Sequence, residues 1–365
     1  MTEVSRPKWL AWEVTRRCNL RCVHCRSSST GEDFSTVPFP TEEGKGLLDQ
    51  FADYSDPVVV LTGGEPLLRP DIWELASYGT GRGLRMCLAT NGALVDDEVC
   101  LRMKDSGIRM VSLSLDGATA DVHDDFRGQP GSFDGAIRAA EHFRRHGISF
   151  LINSSFTRRN KGQAPEVQKL AKSIGATAWY MFLIVPTGRG EELLQELISG
   201  PEYDELLNWH YDLEKTEDAM LMRPTCAPHY YRIWHQRKSA EGGERKRKSL
   251  LFSTGGGKGC IAGQSIALVD YRWNVLPCSY FDRSAGNLRE QSFQDIWENA
   301  PLLQDLRDPS RLHGRCGVCE FNRVCGGCRA RASVYNDGDY LAEDPHCDYI
   351  PRRLRGEEGS EDDHA

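Results

Sequence analysis

No stretch of the sequence approaches the roughly 20 consecutive apolar residues of a membrane-crossing helix, so no membrane span is expected. Basic charge is also short, with 45 Lys and Arg against 53 Asp and Glu and a net charge of −8. Phosphate backbones are gripped by basic surfaces, which excludes a general nucleic-acid binder. The opening MTEVSRPKWLAWEV lacks a basic segment followed by a long apolar stretch and a small-residue cleavage site. No signal peptide is expected, and the default compartment is the cytoplasm. Internal repeats are absent.

Cysteine, by contrast, is abundant: 13 residues, of which Cys87 and Cys100 stand alone and read as small buried hydrophobes. The others fall between Cys18 and Cys25 or between Cys226 and Cys347. Clustered thiols in a reducing compartment are metal ligands more often than disulfides, which points to two metal-bearing regions. Hydrophobic residues at 39% and charged residues at 27% are ordinary for a globular chain. A length of 365 residues suits two compact units, or one large α/β unit with an appendage.

Up to about residue 197, apolar runs at 9–15, 57–61, 85–90, 109–115, 148–155 and 178–185 alternate with segments of helical period. The first helix is expected to start at Thr41 as N-cap. Later ones carry Phe133, Ala136, Ile137 and Ala140, then Val167, Leu170, Ala171 and Ile174, on single faces and stop at Gly147 and Gly175. Six strand-helix units predict a partial (β/α)6 TIM-like barrel, with an open doubly wound sheet as the rival. Either fold gathers the loops at the carboxyl ends of its strands on one rim. After a helical stretch with Tyr203, Leu206, Leu207 and His210, the polar segment at 239–259 reads as a linker, and its basic run at 245–248 as solvated. One helix is expected to hold Phe293, Ile296, Trp297, Leu302, Leu303 and Leu306, and the acidic tail is expected to be disordered.

The first rim loop carries Cys18, Cys22 and Cys25 with no fourth cysteine beside them. A cubane cluster takes one terminal ligand per iron, so three thiols leave one iron open to a chelating molecule. A zinc site completed by His24 or by a distant residue is the alternative. The spacing C-x3-C-x2-C after a first strand, with His24 at the usual aromatic position, resembles the radical S-adenosylmethionine superfamily. The resemblance implies that the methionine amino and carboxylate groups chelate the open iron, and that cluster reduction yields a 5′-deoxyadenosyl radical. TGGEP at 62–66 is similar to the family's second-strand motif, where Gly63, Gly64, Glu65 and Pro66 would meet the methionine ammonium group. SLSLDG at 112–117 and HDDFRG at 123–128 resemble its fourth-strand segment, so Ser114 and Arg127 would hold the methionine carboxylate, with Asn91 near the ribose or methionine.

Cys260, Cys278, Cys316, Cys319, Cys325, Cys328 and Cys347 follow the order of the SPASM extension, a cysteine-rich domain with two auxiliary clusters. The resemblance assigns Cys316, Cys319, Cys325 and Cys347 to one cluster, and Cys260, Cys278 and Cys328 to the other. Either Cys226 completes the second set or one iron there stays open. A glycine usual five residues before the second cysteine of the set is here Trp273. The implied layout is a barrel over 1–200, a helical and linker region over 201–255, the SPASM domain over 256–351 and a tail over 352–365. The cofactors implied are three [4Fe-4S] clusters and S-adenosylmethionine.

Within that group, WEVTRRCNLRCVHCR, PTGRG at 186–190, TCAPHYYR at 225–232, CGVCEFNRVCGGCRARA at 316–332 and GDYLAEDPHC at 338–347 resemble the heme b synthases of the siroheme-dependent route. That resemblance implies oxidative decarboxylation of two propionates of iron-coproporphyrin III, or of a related tetrapyrrole, to vinyl groups. An auxiliary cluster would take the surplus electron, and flavodoxin or ferredoxin would be the low-potential donor. His229, Tyr230, Tyr231 and Arg232 are the candidate substrate contacts, His229 also as an axial iron ligand. The alternatives are a maturase of a ribosomal peptide, and a non-catalytic iron-sulfur electron carrier or zinc-binding protein.

Overall fold

The computed structural model describes residues 4–31, 40–242 and 258–356. Most of the expected linker, at 243–257 with its basic run, and the tail from 357 onward lie outside the described residues. The six expected runs form β1 (Trp9–Thr15), β2 (Val58–Gly63), β3 (Arg85–Thr90), β4 (Met110–Ser114), β5 (Phe150–Phe156) and β6 (Ala178–Leu183). All five neighbouring pairs are parallel.

The sheet continues beyond them. β7 (Leu221–Thr225), inside the region read as helical and linker, pairs parallel with β6, while β8 (Ile266–Val269) pairs parallel with β1. β9 (Asn274–Leu276) and β10 (Gly286–Asn287) then add antiparallel, giving the order β10-β9-β8-β1-β2-β3-β4-β5-β6-β7. The result is a partial, barrel-like sheet with β7 at one end. Successive side chains alternate between its two faces. Val58, Val60, Cys87, Met110, Leu151, Ala178 and Leu221 form a cluster on the inner face. Their neighbours Val59, Leu61, Met86, Leu88, Val111 and Ile152 join the larger outer core. Burial on both faces is why these strands read as unbroken apolar runs.

Helices α1 (Thr41–Tyr54), α2 (Ile72–Gly81), α3 (Asp97–Asp105), α4 (Ala120–Arg127), α5 (Ser132–His146) and α6 (Ala164–Ser173) accompany the barrel strands. α7 (Gly200–Thr216) and α8 (His229–Glu241) flank β7, and α9 (Phe293–Asn299), α10 (Pro301–Arg307), α11 (Gly314–Gly317) and α12 (Arg329–Tyr335) belong to the cysteine-rich part. Leu47, Leu48 and Phe51 of α1 and Ala136 and Ala140 of α5 are buried against the outer face, as their spacing predicts, while Phe133 and Ile137 are half-buried and Phe143 joins the core in their place. Gly147, at φ 65°, caps α5 where the periodicity ends.

Two helix expectations need correction. Thr41 is the first residue of α1 rather than its cap, and its hydroxyl donates to Asp71 Oδ2 at 2.7 Å. The single helix expected from Phe293 to Leu306 is two, because Pro301 drives Ala300 out of helical geometry to ψ 124°.

Trp273 stands where a glycine was expected, and the turn keeps the glycine conformation, with Trp273 at φ 71°. Asp270 holds it by accepting the backbone N–H groups of Arg272 and Asn274 at 2.8 and 2.9 Å. The indole is buried, with the Arg289 guanidinium 4.6 Å from the ring centroid. Packing therefore offsets a left-handed backbone that costs a side-chain-bearing residue about 1–2 kcal/mol. Trp273→Ala should destabilise by about 3 kcal/mol and Trp273→Gly by about 1 kcal/mol less, since glycine relieves the strain. Equal denaturant midpoints for the two variants would contradict this account of the turn.

Candidate functional site

The loop after β1 is pinned from three directions. β2 closes on it through Gly64, whose N–H donates to Thr15 O at 2.8 Å, and through the Glu65 N–H, which donates to Arg17 O at 2.7 Å. A Cβ at Gly64 would sit 2.0 Å from Arg17 O, so only glycine permits the approach. The connection after β6 supplies the second clamp. Arg189 Nε donates to Cys22 O at 2.9 Å, its Nη1 to Ser29 O at 2.8 Å, and its backbone N–H to Cys25 O at 3.0 Å. This gives PTGRG a structural role that the sequence did not disclose. From α4, Phe126 O accepts the Val23 N–H at 3.1 Å.

Cys18 and Cys22 are buried and Cys25 half-buried on this loop. Burial pushes the Cys18 thiol up to about 12 and raises Cys22 against the pull of Arg127. Cys25 moves the other way. Burial opposes its ionisation, but hydrogen bonds from the Ser29 and Ser27 backbone and the Ser27 hydroxyl, with the charge of Arg189, outweigh it.

His24 stacks on Phe126 with ring centroids 4.4 Å apart, and burial followed by the charge of Arg127 holds its pKa well below the usual value. Arg127 pairs with Asp116 at 2.6 Å and directs Nη1 to Cys22 Sγ at 3.7 Å, while its Nε is buried without a hydrogen-bond partner. Asn91 Nδ2 donates to Asn19 Oδ1 at 2.8 Å and reaches Cys18 Sγ at 4.0 Å. Cys18, Cys22, Cys25, His24, Gly63, Gly64, Asn91, Ser114 and Arg127 all line one chamber of about 440 Å³.

Glu65 and Pro66 do not reach that wall. The Glu65 carboxylate turns inward and accepts from the Thr90 hydroxyl at 3.0 Å, Asn91 N at 2.9 Å and Leu67 N at 3.2 Å. It is fully buried, which raises its pKa to about 7 despite those bonds. Those bonds make it a brace for Asn91.

The same chamber is lined on another side by Cys226, Cys260, Cys278 and Cys328. Burial, reinforced by the charges of the other three thiols, holds Cys226 well above its ordinary pKa. Cys316, Cys319, Cys325 and Cys347 surround a separate small cavity of about 30 Å³. Between the two sets lies a buried polar knot. Asp344 Oδ2 accepts from Cys328 N at 2.7 Å and meets His229 Nε2 at 3.1 Å, while Arg331 pairs with Asp344 at 2.9 Å and donates to Cys226 O at 3.0 Å. Among the described residues, no three His, Cys, Asp or Glu side chains are arranged to hold a single metal ion. The donor set of grouped thiols fits polynuclear iron-sulfur clusters.

Residues 12–158 match the model of the radical SAM superfamily, and residues 260–329 match that of the iron-sulfur cluster-binding SPASM domain. The chain is 44% identical to the AdoMet-dependent heme synthase of Methanosarcina barkeri, over 94% of this chain and 97% of that protein. The chain belongs to the radical SAM family. A second AdoMet-dependent heme synthase, from Nitratidesulfovibrio vulgaris, is 43% identical over 95% of this chain and 94% of its own length. The fold is that of Streptococcus suis SuiB bound to S-adenosylmethionine, with a TM-score of 0.73 and 19% identity, over 94% of this chain and 78% of that one.

As a radical SAM enzyme with a SPASM domain, the chain uses S-adenosylmethionine and iron-sulfur clusters. No helix among the described residues is long and apolar enough to cross a membrane. The predicted substrate contacts fare differently. Tyr231 lines the chamber, but His229, Tyr230 and Arg232 do not. His229 and Arg232 flank the Cys316 set instead, with Arg232 held by Asp204 at 2.6 Å, and Tyr230 is a core residue whose hydroxyl donates to Glu214. Nearness to Cys226 in sequence did not show which face of α8 meets the chamber. Also missed were Arg26, Tyr180, Arg223 and Tyr280, which line the chamber and match no local motif.

Glu65→Ala leaves the Thr90, Asn91 and Leu67 donors unpaired and should destabilise by about 2–4 kcal/mol. An unchanged denaturation midpoint would show that the brace contributes nothing.

Proposed function

We propose that the chain makes heme b from iron-coproporphyrin III, converting two propionates to vinyl groups. The observation that carries this reading is the shared chamber: a substrate inside it meets the three-thiol loop on one side and the Cys226 set on another. The heme synthases named above, matched over nearly their whole lengths, support the substrate class. An anionic macrocycle suits walls that combine Tyr180, Tyr231 and Tyr280 with Arg26 and Arg223.

Three [4Fe-4S] clusters account for the three thiol groups, with Cys226 as fourth ligand beside Cys260, Cys278 and Cys328. When bound, the first cluster with S-adenosylmethionine supplies a carbon radical that removes a hydrogen atom, and the auxiliary clusters supply one-electron redox chemistry. Each propionate then balances as loss of one β-hydrogen atom and of its carboxylate as carbon dioxide, forming the C=C bond and releasing one electron. The chain's own residues bind and orient. Asp116 aims Arg127 at a carboxylate position beside Cys22, Glu65 fixes Asn91, and the apolar inner layer of Val60, Met110 and Leu151 keeps water from the lower chamber. A low-potential donor such as flavodoxin or ferredoxin would supply electrons, and the reduced thiols suit the cytoplasm.

Anaerobic incubation with iron-coproporphyrin III, S-adenosylmethionine and a reductant should give products lighter by one and then two formate equivalents. Cleavage of S-adenosylmethionine with neither product would overturn the substrate. Cys22→Ala should abolish 5′-deoxyadenosine formation and retain roughly eight of roughly twelve irons, while Cys226→Ala should lose iron from an auxiliary cluster. Full iron content in Cys226→Ala would remove it from the ligand set.

A further inference from the structure

The barrel interior carries a polar feature that the cysteine chemistry does not use. Strand register sets Ser114 beside Asn153, Asn153 beside Tyr180 and Tyr180 beside Arg223. All four line the chamber, so they form one row across β4, β5, β6 and β7. The inward row below it is Ser112, Leu151, Ala178 and Leu221, an almost wholly apolar floor. Asn153 Oδ1 is buried without a hydrogen-bond partner, and a half-turn of the amide sets its Nδ2 donor in the same place, the polarity a carboxylate needs. The Arg223 guanidinium lies 5.9 Å from the Tyr180 ring centroid, and burial raises the Tyr180 pKa, which keeps its phenol a donor.

A cation and polar side chains set above an apolar floor suit a carboxylate carried on an otherwise apolar molecule, because the charged hydrogen bonds offset desolvation of both partners. Ser114, at the opposite end of the row, is the residue expected to face S-adenosylmethionine. Three strand spacings, about 14 Å, separate it from Arg223. A ligand anchored at Arg223 therefore presents its far edge to the three-thiol loop.

We infer that Asn153, Tyr180 and Arg223 form the subsite for a non-reacting propionate carboxylate, with Arg223 supplying the charge and Tyr180 both a phenol donor to the carboxylate and an aromatic wall for the edge of the macrocycle. The assignment rests on the tetrapyrrole reading above. It makes these three residues determinants of which propionates reach the reaction centre.

The test is titration of cluster-loaded protein with iron-coproporphyrin III and, separately, with its tetramethyl ester, followed by visible absorption. Arg223→Gln should weaken binding of the acid about 10–100-fold and Arg223→Lys less, whereas the ester should bind wild type and Arg223→Gln alike. Equal affinity of wild type and Arg223→Gln for the acid would overturn the subsite while leaving the proposed reaction standing. Failure of the wild type itself to bind or convert iron-coproporphyrin III would overturn the functional reading, and the subsite with it. Should Arg223→Gln not take up wild-type iron, Arg223→Lys and Tyr180→Phe decide the matter: weakening of the acid by several-fold in both supports the subsite, and no change in either overturns it.

Discussion

The pairing of β1 with two parallel neighbours is the constraint from which the rest of the structure follows. β2 on one side belongs to the barrel, and β8 on the other belongs to the cysteine-rich part, so the strand that launches the three-thiol loop is also the seam between the two. Arg26 reinforces the seam by pairing with Glu13 at 2.7 Å and donating to Ser279 O at 3.3 Å. Without β8 in register with β1, Cys260 and Cys278 would have no reason to face the chamber that Cys18, Cys22 and Cys25 open onto.

Burial of charge is the recurring cost of this design. Arg127 with Asp116 and Arg331 with Asp344 are ion pairs almost sealed from solvent. A buried pair gains little net stability over an apolar one, but removing either partner is expensive. Each pair holds parts that must sit at fixed positions: the first orients a guanidinium beside Cys22, and the second ties the backbones of Cys226 and Cys328 together. Geometric specificity is what these pairs contribute.

Much of the barrel was legible because parallel strands covered on both faces announce themselves as apolar runs. The cysteine loops were legible because ligand spacing is local. What stayed hidden depends on distant partners. β7 is written LMRPT, where Arg223 and Pro224 break the apolar run, and only its place beside β6 makes Arg223 an inward residue. Glu65 sat in a recognised motif, yet its direction is set by Thr90 and Asn91 from the end of β3. Tyr231 and Tyr230 are adjacent in sequence and end in different environments, since one helical step separates a chamber wall from the core.

The clamp of Arg189 on the cysteine loop has a consequence for biogenesis. Its contacts to Cys22 and Ser29 span 167 and 160 positions, so the loop leaves the ribosome long before the residue that fixes it. Contacts of such long range form late, because loop-closure entropy must be overcome before they reward the chain. During that interval the three thiols lack the arrangement that the Arg189 contacts impose. The cysteine loop therefore reaches its final shape only after β6 and the connection after it have docked.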